Sequence, residues 1–335
     1  MKQFIIWAGL ITLLCTSCAS KQKHELSVLH LNIWMDATVV DHGFDAVVDE
    51  IVRVDPDIVM LSEADNRDGV LIVPRFIEAL QKKGKDYFGE SSSLDVALLS
   101  KYPLSEQTEN IPHKDRVIRT RLDVKGKQVV VYTGHLDYTH YACYLPRGYS
   151  GVTWKKLDAP VTDVTEIEKA NSESLRDESI RLVIEDAKKQ QADFIILGGD
   201  FNEPSHLDWT EETKEMWDHN GTVVHWDCST LLYEAGFRDA YRVKYPDPVT
   251  HPGFTFPSDN PDMPVERLTW APEADERDRI DFIYYMPAAG GEVNEAVVVG
   301  PKSSIVRSRR VEEDSQDSFS TPSGTWPTDH KGVLI

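Results

Sequence analysis

Over residues 26–34 apolar and polar side chains alternate, the period of a strand with one buried face. The period then changes. Phe44, Val47, Val48, Ile51 and Val52 trace one helical face over 44–54, Asp55-Pro56 stops it, and 58–61 is an apolar run of strand length. A second helix is predicted over 70–83, closed by Gly84. Strands follow over 94–100, 117–124 and 128–133, the last two joined through a hairpin turn at Gly126. Strand–helix–strand units are thus mixed with local antiparallel pairing.

Between Asp137 and Asp163 the periodicity stops and Tyr, Pro and Gly accumulate, which in a folded chain reads as a functional surface loop. A helix over 174–190 leads to a strand over 194–197, and a second irregular region, 245–277, precedes a strand over 280–285. A final strand over 332–335 brings strands to both ends of the chain, so 26–335 reads as one domain. No internal repeat, heptad pattern or low-complexity tract interrupts it.

The first 18 residues have a different character. Lys2 precedes an apolar run from Phe4 to Leu14, and the small residues Thr16 and Ser17 precede Cys18. That order reads as an export signal ending in a lipobox, with 19–25 as a polar tether and a periplasmic or cell-envelope lipoprotein as the product. The run is short for a membrane-spanning helix. Beyond this segment only Cys143 and Cys228 remain, which could pair in an oxidising compartment, and no zinc-ligand spacing is present.

Charge narrows the functional classes. With 56 acidic and 36 basic residues the chain carries a formal charge of -20. Such a field opposes non-specific binding of phosphate polymers, though a small phosphoester remains compatible with it.

Candidate chemistry lies where apolar strands end: Leu31-Asn32-Ile33, Leu61-Ser62-Glu63, Gly134-His135-Leu136-Asp137, Gly199-Asp200-Phe201-Asn202, Ile280-Asp281 and Thr328-Asp329-His330. Carboxylates and amides at strand ends face clefts, and hard oxygen donors suit Mg²⁺, with Mn²⁺ or Ca²⁺ as substitutes. Each segment also has a plainer reading. An Asp after a strand is commonly a turn or cap residue, the glycines before Asp200 invite a turn, and Asp281 beside Arg279 could form a surface ion pair.

In this order along the chain the segments resemble the endonuclease/exonuclease/phosphatase superfamily, the DNase I-like fold, over residues 32–330. The resemblance implies an α/β (α+β) four-layer sandwich of two facing mixed sheets flanked by helices. It implies Glu63 as principal metal ligand, with Asn32 and Asp329 sharing or ordering the ion. Asp200 and Asn202 would orient water and hold the phosphoryl group, His330 would pair with Asp281, and His135 would be the second histidine beside the phosphate. Two departures stand out: Ser62 occupies the place where many members have Gln, and Ile33-Trp34 follows Asn32 where nucleases often continue with Asn-Gly or Asp-Gly.

Tyr138, His140, Tyr141, Tyr144 and Arg147 suggest an aromatic wall with one cation, and Tyr138, Tyr144 and Arg147 are the expected substrate contacts. Phe254 and Phe256 could add a second apolar wall. The expected activity is hydrolysis of a phosphomonoester or phosphodiester of a small organic phosphate or lipid headgroup, with no protein partner. A secreted nuclease is the rival within the class, and a non-catalytic lipid-anchored binding protein the rival outside it.

Overall fold

A computed structural model describes residues 25–109, 116–287 and 291–335. The segment read as signal, lipobox and most of the tether lies outside the described residues. Among those described, no helix is long and apolar enough to cross a membrane.

The first half of the chain contributes β1 (Val28–Asn32), β2 (Ile58–Ser62), β3 (Val96–Ser100), β4 (Leu104–Thr108), β5 (Arg116–Val124) and β6 (Lys127–His135). The second contributes β7 (Phe194–Asp200), β8 (Arg238–Asp239), β9 (Asp281–Met286), β10 (Val297–Val299), β11 (Ser303–Val306), β12 (Arg309–Glu312), β13 (Phe319–Ser320) and β14 (Gly332–Leu334). One six-stranded sheet has the order β13-β10-β14-β1-β2-β3, the other β4-β5-β6-β7-β9-β8, and β11 and β12 form a separate hairpin. Both large sheets are mixed: β1 and β2 run parallel, as do β6 and β7, while β2–β3 and β7–β9 are antiparallel.

Side-chain alternation builds four layers from these strands. Leu29, Leu31, Val59 and Leu61 point outward beneath the helices Gly43–Val54 and Ile72–Lys82. Val28, Ile58, Met60, Val96 and Leu98 point inward and meet Ile118, Leu122, Val129, Val131, Ile196 and Ile283 of the second sheet. Val130, Tyr132, Ile195 and Leu197 cover the far face beneath the helices Arg176–Ala187 and Asp227–Glu234. Each such aliphatic side chain contributes roughly 1.5–3 kcal/mol on leaving water. The expectation of a half-buried first strand is corrected here, because all five residues of β1 are buried. An inner strand of a packed sheet has no solvent face, so His30 and Asn32 sit inside and require partners.

Candidate active site

Parallel register sets Asn32 beside Ser62, His135 beside Asp200, and antiparallel pairing sets Asp200 beside Asp281. Hydrogen bonds from Asn32 to Asp200 and from Ser62 to the Gly134 carbonyl then join the two sheets, so five strand ends meet. Gly198 and Gly199 belong to β7 and make no turn there, contrary to the plainer sequence reading. The reason is steric: a Cβ on Gly199 would stand 2.0 Å from the carbonyl oxygen of Gly134 on β6. Glu63 and Asn202, one and two residues past their strands, hold left-handed backbone at φ 59° and 47°. Such conformations cost of order 1–3 kcal/mol and redirect the side chains into the cleft.

Asp200 is the hub. Its Oδ2 accepts from Asn32 Nδ2 at 3.0 Å and lies 3.8 Å from Nε2 of both His135 and His330, while Oδ1 accepts the Asn202 N–H at 2.9 Å. Each ring is fixed from behind. His135 Nδ1 meets Asp95 Oδ2 at 2.8 Å, and His330 Nδ1 meets Asp281 Oδ2 at 2.9 Å. Asp281 is clamped on its other side by His30 Nε2 at 2.9 Å. It is fully buried, so the surface ion-pair reading fails; Arg279 pairs instead with Asp208 and Asp239.

Burial by itself would lower the histidines. The charges of Asp281 and Asp200 overcome it and hold His330 up to about 10, and the hydrogen bond that His135 donates to Asp95, with the charges of Asp200 and Asp95, holds His135 up to about 9. In turn Asp281 is kept well below the usual carboxylate range, its burial outweighed by His330 and His30. Asp200 is raised, by burial and then by Asp281.

The opposite side of the cleft has carboxylates without imidazole partners at bonding distance. Glu63 accepts the Met35 N–H at 2.7 Å and Asn32 Nδ2 at 3.1 Å. Asp329 is buried; burial and then the charges of Glu63 and Asp200, against the pull of His330, push it up to about 7. Its carboxylate accepts its own backbone N–H and a long 3.4 Å contact from the Thr328 hydroxyl. A crowded acidic pair of this kind fits a hard divalent cation. Asn32 fits an ordering role better than a ligand role. Its Oδ1 accepts the Trp34 N–H at 2.9 Å, leaving the amide nitrogen to join Glu63 and Asp200. Asp200, Asp281 and His330 also bring ligand atoms within 4.8 Å of one another, but hydrogen bonds to histidine already engage both Asp281 oxygens.

These groups open into a cavity of about 440 Å³. Its aromatic side includes Tyr138, Tyr141, Tyr144, Trp154, Phe256 and Trp270. Of the residues expected to contact substrate, Tyr138 and Tyr144 thus line this cavity. Arg147 does not: it is buried, bonded to Asp278, and spread over Trp209 at 5.3 Å. A guanidinium so committed supports the loop from beneath, and its assignment to substrate is corrected. Phe254 packs against Trp217, outside the cavity. Cys143 and Cys228 are buried in separate hydrophobic clusters and form no disulfide. Ser62 takes up a different support: its hydroxyl donates to Gly134 O at 3.0 Å and accepts the Asp200 N–H at 3.3 Å, steadying β6 and β7.

His30, Asp95, Trp154 and Trp270 were not singled out in the sequence. His30 has a readable signal, since strand alternation puts it on the same face as Asn32. Asp95 becomes visible only through pairing, because Ser62 lies opposite Val96 and so brings Asp95 toward Glu63.

The family model described as Endonuclease/Exonuclease/phosphatase matches residues 29–330. An uncharacterized protein of Caenorhabditis elegans, F14F9.5, is 28% identical over 287 residues, covering 84% of this chain and 85% of its own. Among solved structures, an endonuclease/exonuclease/phosphatase family protein from Leptotrichia buccalis aligns with TM-score 0.50 and 14% identity, over 93% of this chain and 98% of that one. A 3' phosphatase from Neisseria, NExo, bound to a product DNA hairpin, aligns with TM-score 0.49 and 18% identity, over 92% and 98%.

Proposed function

We propose, from the premise that this chain belongs to the endonuclease/exonuclease/phosphatase family, that it is a divalent-metal-dependent hydrolase of a small organic or lipid-headgroup phosphoester, monoester or diester. Members of the family are hydrolases of phosphoester bonds. One observation carries the reading: two carboxylate-backed imidazoles bring Nε2 within 3.8 Å of one Asp200 oxygen, beside the acidic pair Glu63 and Asp329.

Glu63 and Asp329 would hold Mg²⁺, or Mn²⁺ or Ca²⁺ in its place, and the ion would supply positive charge to the developing phosphoryl oxygens. The remaining work belongs to the chain. Asp200 accepts a proton as the water oxygen bonds to phosphorus, and Asn202, whose N–H fixes Asp200, lines the same floor. His135 and His330 donate to phosphoryl oxygens, one of them passing its proton to the ester oxygen as the P–O bond breaks. Asp95 and Asp281 keep each ring's Nε2 turned inward. Among the described residues Arg67 is the sole Lys or Arg in the cavity wall, and it is tied to Asp65 at 2.9 Å, which supports a compact phosphoester over a polyanion.

The test compares phosphate release from small mono- and diesters with cleavage of DNA and RNA, with Mg²⁺, for wild type and Glu63→Gln. Small-ester turnover that falls at least about 100-fold in a folded Glu63→Gln chain agrees with the reading. Preferred cleavage of nucleic acid overturns the substrate class, and unchanged activity in Glu63→Gln overturns the ligand assignment.

A further inference from the structure

We infer that His30 is a positioning residue for the hydrolysis proposed above, an inference that rests on that reading: from a buried place behind the site it fixes the carboxylate that fixes His330. Alternation along β1 sends Leu29 and Leu31 beneath the outer helices and turns Val28, His30 and Asn32 into the layer between the sheets. Val28 packs in the apolar part of that layer and Asn32 reaches Asp200, so His30 stands where core gives way to site. It is fully buried and is not among the side chains that line the cavity. Its Nε2 meets Asp281 Oδ1 at 2.9 Å, while His330 Nδ1 meets Oδ2 at 2.9 Å. Among the described residues these are the two hydrogen bonds that the Asp281 carboxylate accepts.

A buried imidazole between two sheets is most simply a core filler, but the two ring nitrogens of His30 have unlike surroundings. An ionised carboxylate only accepts, so the proton of the 2.9 Å bond to Asp281 sits on Nε2. Nδ1 of the same ring is buried without a hydrogen-bond partner among the described residues, and a proton there would be a donor with no acceptor. His330 differs: Asp281 meets its Nδ1 and Asp200 lies 3.8 Å from its Nε2, so both of its nitrogens face acceptors. One carboxylate thus holds two rings with separate duties, His30 as a fixed donor and His330 as the ring that carries and passes a proton. Asp281 also has a like charge nearby, because its ligand atom lies within 4.8 Å of that of Asp200. With Oδ1 tied to His30, the carboxylate cannot turn away from Asp200 without breaking a bond, and His330 Nε2 stays aimed at the Asp200 oxygen. An aliphatic side chain at position 30 would leave Oδ1 a buried acceptor without its donor.

Nitrogen-15 NMR of the full wild-type chain, without metal, reads the ring directly: His30 Nε2 is protonated and Nδ1 is bare. The reverse tautomer overturns the inference. His30→Gln, whose amide N–H can stand where the Nε2–H stands, is then compared with His30→Leu, which fills the space and donates nothing; circular dichroism checks that both fold. On a small phosphoester with Mg²⁺, kcat falls about tenfold or more in His30→Leu at nearly constant KM, and His30→Gln recovers most of the loss. The His330 Nδ1–H resonance persists in His30→Gln and is lost to solvent exchange in His30→Leu. A core-filling role gives the opposite order, because Leu suits an apolar layer better than an amide does, and that order overturns the inference. If His30→Leu does not fold, the wild-type tautomer and turnover by His30→Gln decide. Small-ester turnover with kcat untouched in folded His30→Leu sinks this inference and leaves the phosphoesterase reading standing. A wild type that hydrolyses no small ester, with the ring signals as stated, sinks that reading and leaves the hold of His30 on Asp281 and His330 in place.

Discussion

Replacing Asp95 by Asn isolates the charge behind His135, because the amide oxygen still accepts the Nδ1–H across 2.8 Å while the negative charge disappears. In the folded protein His135 is held up to about 9, by Asp95 and Asp200 acting against burial. An unfolded histidine titrates near 6.5. A folded value above the unfolded one means that the imidazolium's contribution is fully present below about pH 6.5 and is lost as pH rises through about 9. At pH 7 the contribution amounts to about 2–3 kcal/mol, and Asp95, as one of two main partners, accounts for about 1–2 kcal/mol of it. Urea denaturation of metal-free wild type and Asp95→Asn at pH 7 and pH 10 reads this directly, and an NMR titration of the His135 ring reads its cause. The variant is less stable at pH 7, the difference closes by pH 10, and the ring titrates lower. A stability difference of equal size at both pH values, or an unmoved ring, refutes the electrostatic account.

Two further substitutions probe the frame. Gly199→Ala puts a methyl 2.0 Å from the Gly134 carbonyl inside the β6–β7 ladder, so neither backbone can yield alone; a loss of about 3 kcal/mol or more is expected in thermal unfolding. His219 lies stacked on Trp209 at 3.6 Å between centroids, and burial, then Arg147, hold it well below 6.5. A depressed folded value gives stability that is present above about pH 6.5 and is lost as pH falls below it. His219→Phe therefore reduces the drop in stability between pH 7 and pH 5 by on the order of 1 kcal/mol, measured by denaturant midpoints at the two pH values.

Long periodic elements were readable from local pattern. The helix expected over 44–54 occurs as Gly43–Val54, that over 70–83 as Ile72–Lys82, and that over 174–190 as Arg176–Ala187. The helix Val164–Ser172 was hidden because only Ile167 and Asn171 are buried along it, too sparse for an apolar face. Its start was nonetheless marked by Asp163, whose side chain accepts from Thr165 and Glu166. Strands of two to four residues, such as β8 and β13, are shorter than any period can declare. In the site, residues at the ends of apolar strands were legible because strand ends face the cleft. Their supports were not: His30 reaches Asp281 across 251 positions, and Asp95 reaches His135 across 40, distances that only the sheet pairing closes.

The arrangement of those supports explains how so acidic a chain could receive a phosphoester. Asp95 and Asp281 lie behind the rings, and each of their charges is answered by a proton on His135 or His330, so the face turned to the cavity is the cationic Nε2 edge. Glu63 and Asp329, which no ring answers at bonding distance, leave an excess of negative charge on the other side of the same floor. The site is therefore polarised: one side suited to phosphoryl oxygens, the other to a divalent cation, with Asp200 between them. Substituting Asp281 would disturb more than one histidine, because its two oxygens hold His30 and His330 on opposite sides. The formal charge of -20 describes the whole chain. What a phosphoester meets in the cavity is set by which carboxylates have been placed behind an imidazole and which have been left facing one another.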